Sequence, residues 1–174
     1  CNFEIAPALE MLAMAEKPIT IFAKTLSRIR SEDGLTVIPE KSIDELNLNE
    51  YDSLLLPGAI DIREAIEDNA ILDFIKKFDG MPIGAISIAP LLLLKAGLLE
   101  GKPFMAGVNP EDLFEEGYTT DDLALMIGWD ASLENPIPEG YIQSESIVTS
   151  VSYNFVRWAL AFGKMLGIDL PPKT

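Results

Sequence analysis

The chain has 174 residues, enough for one domain with a buried core, and its 48% hydrophobic and 24% charged content is that of a folded globular protein. Its 28 acidic against 13 basic residues leave a net charge of −15, which repels phosphate and anionic lipid and argues against nucleic-acid and membrane-surface functions. One cysteine excludes an internal disulfide, and with zero histidines no zinc site and no cofactor are expected.

Residues 2–15 read as an amphipathic helix, with Phe3, Ile5, Ala8, Leu9 and Leu12 at helical spacing and Lys17-Pro18 closing it. Cys1 at the first position is compatible with removal of a preceding segment, with lipidation, or with an N-terminal nucleophile; the helical spacing speaks against the last, because such hydrolases start on a strand. A short strand is expected over 19–23, and two more, over 26–29 and 35–38, around the turn Ser31-Glu32-Asp33-Gly34. Ser42 caps a helical turn through Leu46, with Glu45 in the capping-box position. Leu54-Leu55-Leu56 is wholly apolar, the mark of a parallel strand covered on both faces, and runs into Pro57-Gly58-Ala59. A helix follows over 69–78, then a buried strand over 82–86, Ser87, a helix over 89–96 stopped by Gly97, and a strand over 102–106. Residues 108–140 are acidic and carry Pro110, Gly117, Pro136 and Pro138, which reads as short helices and loops. A strand over 147–149 leads into a long helix over 154–166, ended by Gly167. The apolar run over 83–94 is broken by Ser87 and Pro90 and is too short to span a bilayer; no secretory leader is visible, and a cytoplasmic location is expected. Strands alternating with helices imply a mostly parallel sheet wrapped by helices, in one domain over 1–174.

Ligands in open α/β sheets bind beyond the carboxyl ends of the strands. In Ile83-Gly84-Ala85-Ile86-Ser87-Ile88-Ala89-Pro90, small residues flank a serine at a direct strand-to-helix junction, which would raise its side chain above the sheet at a helix N-terminus. The end of the neighbouring strand, Leu56-Pro57-Gly58-Ala59, would lay backbone amides beside it, as an oxyanion hole requires. The plainer alternative is that Ser87 only caps the helix. Trp129, Trp158, Tyr153 and Phe155 read as core or dimer packing, and Asp61 and Glu64 as a solvated helix start. The acidic runs at 111–116 and 121–122 read as a solvated face.

Four segments together resemble the ThiJ/PfpI family of the class I glutamine amidotransferase-like superfamily: Asp52 to Gly58, Ile83 to Pro90, Ala96-Gly97-Leu98-Leu99-Glu100-Gly101-Lys102, and Ile147-Val148-Thr149-Ser150. The resemblance implies a flavodoxin-like three-layer α/β sandwich with a nucleophile elbow, in a protein that is usually a homodimer. It also implies a cysteine at the elbow and a glutamate near the start of the first helix that hydrogen-bonds it. Glu4 matches that glutamate, and Ser87 falls at the cysteine position. Ala106 falls where many members carry histidine, and Ala59 replaces the second glycine of the usual Pro-Gly-Gly. The family begins with a buried strand ahead of the first helix, so such a strand is expected before residue 1.

A thiol of pKa about 8.5 can be ionised by its surroundings, whereas a serine hydroxyl starts several units higher and needs a general base. Lys95 is about 12 Å from Ser87 along a helix axis, and an ordinary glutamate is a poor base for an alcohol unless burial raises its pKa. Three functions are compatible with these residues. The first is a non-catalytic paralogue that binds a small ligand through Ser87, Glu4 and the amides of Gly58, Ala59 and Ile88. The second is a hydrolase, amidase or deglycase-type enzyme using Ser87 with Glu4. The third is a chaperone-like structural dimer.

Overall fold

The computed structural model describes residues 1–169. In chain order the elements are α1 (Asn2–Met14), β1 (Phe22–Ala23), β2 (Ile29–Arg30), β3 (Thr36–Val37), β4 (Lys41–Ser42), β5 (Leu54–Leu56), α2 (Arg63–Ile66) and α3 (Asn69–Lys76). They continue with β6 (Ile83–Ile86), α4 (Pro90–Lys95), β7 (Phe104–Met105), β8 (Met126–Ile127), α5 (Trp129–Glu134), β9 (Ile142–Ser144), β10 (Ile147–Ser150) and α6 (Phe155–Met165).

The central sheet runs β5-β6-β10-β9. Its first three strands are parallel and β9 is antiparallel to β10. Strand alternation divides the core into two layers. On one side Leu54, Ile83, Ala85 and Ile147 pack with Ile66, Phe74, Leu91 and Leu93 from the α2–α4 side. On the other, Ile86 and Val148 pack with Ala8 of α1 and with Trp158 and Phe162 of α6. Helices cover both faces, so the architecture is the flavodoxin-like three-layer α/β sandwich. Gly84 permits the α6 layer to seat closely: a methyl group there would lie 2.8 Å from Phe162 and 3.0 Å from Trp158. Among the described residues β5 is an edge strand, and β1–β4 forms a separate parallel pair.

Several expected elements differ in extent. The strands expected over 26–29 and 35–38 shrink and shift to Ile29–Arg30 and Thr36–Val37, paired antiparallel around the predicted turn. The Glu45 carboxylate accepts from both the Ser42 amide and hydroxyl, as in a capping box, yet Lys41–Ser42 pairs as a strand with β1 and only a turn follows it. Residues 108–140 hold a short 3-10 segment (Pro110–Glu116), β8 and α5. The segment expected over 102–106 is β7, which pairs with β8 and not with the central sheet. No helix among the described residues is long and apolar enough to cross a membrane.

Candidate functional site

Ser87 joins β6 directly to the turn that precedes α4, with φ of +62°, a left-handed conformation uncommon for a residue with a side chain. Two backbone bonds hold it there. Its N–H donates to Ser150 O at the end of β10 (2.8 Å), and its C=O accepts from Gly107 N–H (2.7 Å). The helix-cap alternative fails on this geometry. Helix α4 begins at Pro90 with Ala89 as its N-cap, and no side chain caps it. Ser87 is thus held in a strained conformation beyond the carboxyl ends of three parallel strands, where open α/β sheets bind ligands.

Glu4, in the first turn of α1, is 1% exposed, and its Oε2 accepts from Gly58 N–H at 2.8 Å. Gly58 is wedged between the two polar side chains: a methyl group on it would lie 2.6 Å from Glu4 Oε2, 2.6 Å from Ser87 Cβ and 2.9 Å from Ser87 Oγ. Glu4, Gly58 and Ser87 thus meet in one place. Burial raises the pKa of Glu4 above its ordinary value, while the hydrogen bond from the Gly58 amide opposes that rise without cancelling it.

The expected oxyanion hole needs one correction. The Gly58 amide is consumed by Glu4 and is not free to stabilise a ligand oxyanion. The remaining donors are Ala59, exposed at the rim, and Ile88, half-buried beside the elbow. Neither N–H has a protein acceptor among the described residues. Sequence reasoning missed Gly107 and Ser150, whose backbone groups fix Ser87. Lys95 lies 5.0 Å from the centre of the Tyr118 ring, engaged away from the elbow. Asp61 accepts from the Arg63 amide and guanidinium, which lowers its pKa to about 2. Helix α2 has Ile62 as its N-cap and no capping side chain. Trp158 is fully buried in the core, and Trp129 packs edge-on to Tyr153.

The raised pKa of Glu4 has a thermodynamic consequence. Because the folded chain holds that proton more tightly than the unfolded one, the stability it confers is complete below the unfolded-state pKa. It is lost as pH rises through the folded-state value, with a slope of at most about 1.4 kcal/mol per pH unit. Glu4→Gln cannot ionise. Its melting temperature relative to wild type is therefore expected to climb with pH across that window in parallel thermal scans, and a flat difference would contradict the raised pKa.

The sequence matches the DJ-1/PfpI family over residues 2–163. The chain belongs to that family. Over 106 residues it is 34% identical to Protein/nucleic acid deglycase 2 of Escherichia coli (strain K12), covering 58% of this chain and 60% of that one. It is 35% identical over 88 residues to General stress protein 18 of Bacillus subtilis (strain 168), covering 48% and 51% of the two chains. The chain thus spans about half the length of the curated relatives it matches. Among solved structures, a two-domain protein from Anabaena variabilis with DJ-1/ThiJ/PfpI-like and ferritin-like domains superposes with a TM-score of 0.76 at 16% identity. That superposition covers 98% of this chain and 47% of the other.

Proposed function

We propose that this DJ-1/PfpI chain binds a small ligand through a carbonyl or carboxyl oxygen at the elbow, and that it does so without covalent catalysis. The observation that carries the reading is the convergence of a hydroxyl, Ser87 Oγ, and a buried carboxyl, Glu4, on Gly58 in a chain with zero histidines. Serine stands where the family nucleophile is a cysteine, and no environment of this kind ionises an alcohol as it ionises a thiol. The free amides of Ala59 and Ile88 supply donors for a ligand oxygen, and the strained backbone at Ser87 supports a retained binding role.

A second reading is deglycase-type acid–base chemistry by Ser87 with Glu4. Burial of Glu4 favours it, since a carboxylate of raised pKa is a better base, and so does the relative named a deglycase. The two readings separate in one experiment. Wild type is expected to show no release of a dicarbonyl adduct from a glycated amine. Ser87→Cys is expected to gain a peroxide-oxidisable thiol at position 87, found by mass spectrometry and distinct from Cys1. Turnover by wild type that Ser87→Ala abolishes would replace the binding reading with the enzymatic one.

A further inference from the structure

We propose that the cavity next to Ser87 is a specificity pocket for a linear aliphatic chain ending in a primary ammonium. This rests on the binding reading above and names the ligand class for the same site.

The cavity is a half-open cleft of about 260 Å³. At about 30 Å³ per water-sized group it holds roughly eight or nine heavy atoms. Two of its lining residues tie it to the elbow. Ile88 follows Ser87 and carries a free amide, and Val108 follows Gly107, whose N–H holds the Ser87 carbonyl. A ligand with its oxygen at the Ile88 amide therefore has this cavity beside it for the rest of its length. The floor is aliphatic: Ile62, Ile66, Leu91 and Leu113 are all buried, so a hydrocarbon chain gains by leaving water there.

The mouth sets the preference at the far end of that chain. It carries three carboxylates, Asp61, Asp112 and Glu116, against one guanidinium, Arg63. Arg63 is already engaged by Asp61 and lies 4.0 Å from Glu116, while Asp112 has no cationic partner among the described residues. An ammonium arriving there meets Asp112 with no competing cation among the described residues, whereas a carboxylate must compete with Asp61 and Glu116 for Arg63 and faces Asp112 as well. The net charge of −15 over the whole chain adds to the same bias during approach.

The test uses four amides that share one carbonyl head: acetamide, hexanamide, 6-aminohexanamide and adipic acid monoamide. They are titrated into the ¹⁵N-labelled protein, with amide shifts of Ala59 and Ile88 reporting the head and those of Ile66 and Leu113 reporting the chain. Hexanamide is expected to bind at least about tenfold tighter than acetamide, from burial of its methylenes. 6-Aminohexanamide is expected to bind about tenfold tighter than adipic acid monoamide. Asp112→Asn, at an exposed position, should cut that charge preference to about threefold, and Ile60→Ser, at a residue 79% exposed on the lining, should weaken hexanamide but not acetamide. Acetamide shifting Ala59 and Ile88, with hexanamide no tighter or with the two charged amides binding equally, overturns the pocket and leaves the elbow reading standing. Hexanamide shifting Ile66 and Leu113 while acetamide shifts nothing supports the pocket and removes the elbow reading. No shift from any probe overturns both.

Discussion

Trp158→Ala is expected to lower the unfolding free energy by about 3–5 kcal/mol, a large share of the stability of a single domain. Trp158 is fully buried between α6 and the central sheet. Three features make it hard to replace. Its indole lies over Gly84, where even a methyl group would come within 3.0 Å. It stacks with Phe162 at a centroid distance of 6.3 Å and an interplanar angle of 10°. Its Nε1–H donates to Val148 O of β10 at 3.1 Å, so truncation also removes a partner from a buried carbonyl. The cavity would open under the layer in which α6 packs against α1, and α1 carries Glu4, so the same substitution should loosen the elbow. In a chain of this size each kcal/mol moves the melting temperature by about 2–4 °C, which puts the expected loss at roughly 6–20 °C. Trp158→Phe, which keeps most of the apolar area and loses the hydrogen bond, should cost about 1–2 kcal/mol. A loss under about 1 kcal/mol for the alanine variant in calorimetry would mean that the sheet–α6 layer is not packed as described.

The parts of the fold that could be read from the sequence are those whose residues are buried by construction. Leu54-Leu55-Leu56 and Ile83 to Ile86 have no polar side chain; the second is buried throughout as expected, whereas in the edge strand β5 only Leu54 is fully buried and Leu55 and Leu56 are half-buried. The junction at Ser87 was legible because a buried apolar strand runs directly into Ala89-Pro90, a helix start, with no loop between them. The strand β9 was not. Ile142-Gln143-Ser144 has no pattern of its own and is a strand only because β10 pairs with it. The short pairs β1–β4 and β2–β3 shifted for a related reason, since each is two residues long and its limits are set by its partner. Within the site, the resemblance led to the expectation of Glu4 beside Ser87, but the hydrogen bond that Glu4 takes from the Gly58 amide was not anticipated. Whether a backbone N–H faces a ligand or a carboxylate depends on where residues 4 and 58 meet, and that is a property of the packed layers. The cavity lining was invisible likewise, because it joins residues 60–63, 66, 88, 91, 108, 112, 113, 116 and 118 from separate parts of the chain.

Gly58→Ala is the substitution with the largest expected effect on the site itself. The backbone at Gly58 does not lie in the left-handed region, so alanine meets no conformational penalty there and the cost is purely steric. The new methyl would lie 2.6 Å from Glu4 Oε2 and from Ser87 Cβ. Ser87 cannot yield easily, since its N–H and C=O are held by Ser150 and Gly107, and Glu4 can move its carboxyl only by giving up the Gly58 amide in a buried place. Overpacking of this kind costs about 1–3 kcal/mol, a fall of roughly 2–12 °C in melting temperature, and the acetamide-induced shifts of Ala59 and Ile88 should vanish with it. The clash makes a sharper prediction through a double-mutant cycle. Ser87→Gly removes Cβ and Oγ and also relieves the strain of a side chain at φ +62°. In that background Gly58→Ala meets only Glu4, and its cost should drop by about 0.5–2 kcal/mol relative to its cost in wild type. Equal costs in the two backgrounds would show that Gly58 and Ser87 do not press on each other. The close approach of the Pro57-Gly58-Ala59 turn to the elbow would then have to be abandoned as the reason a glycine stands at position 58.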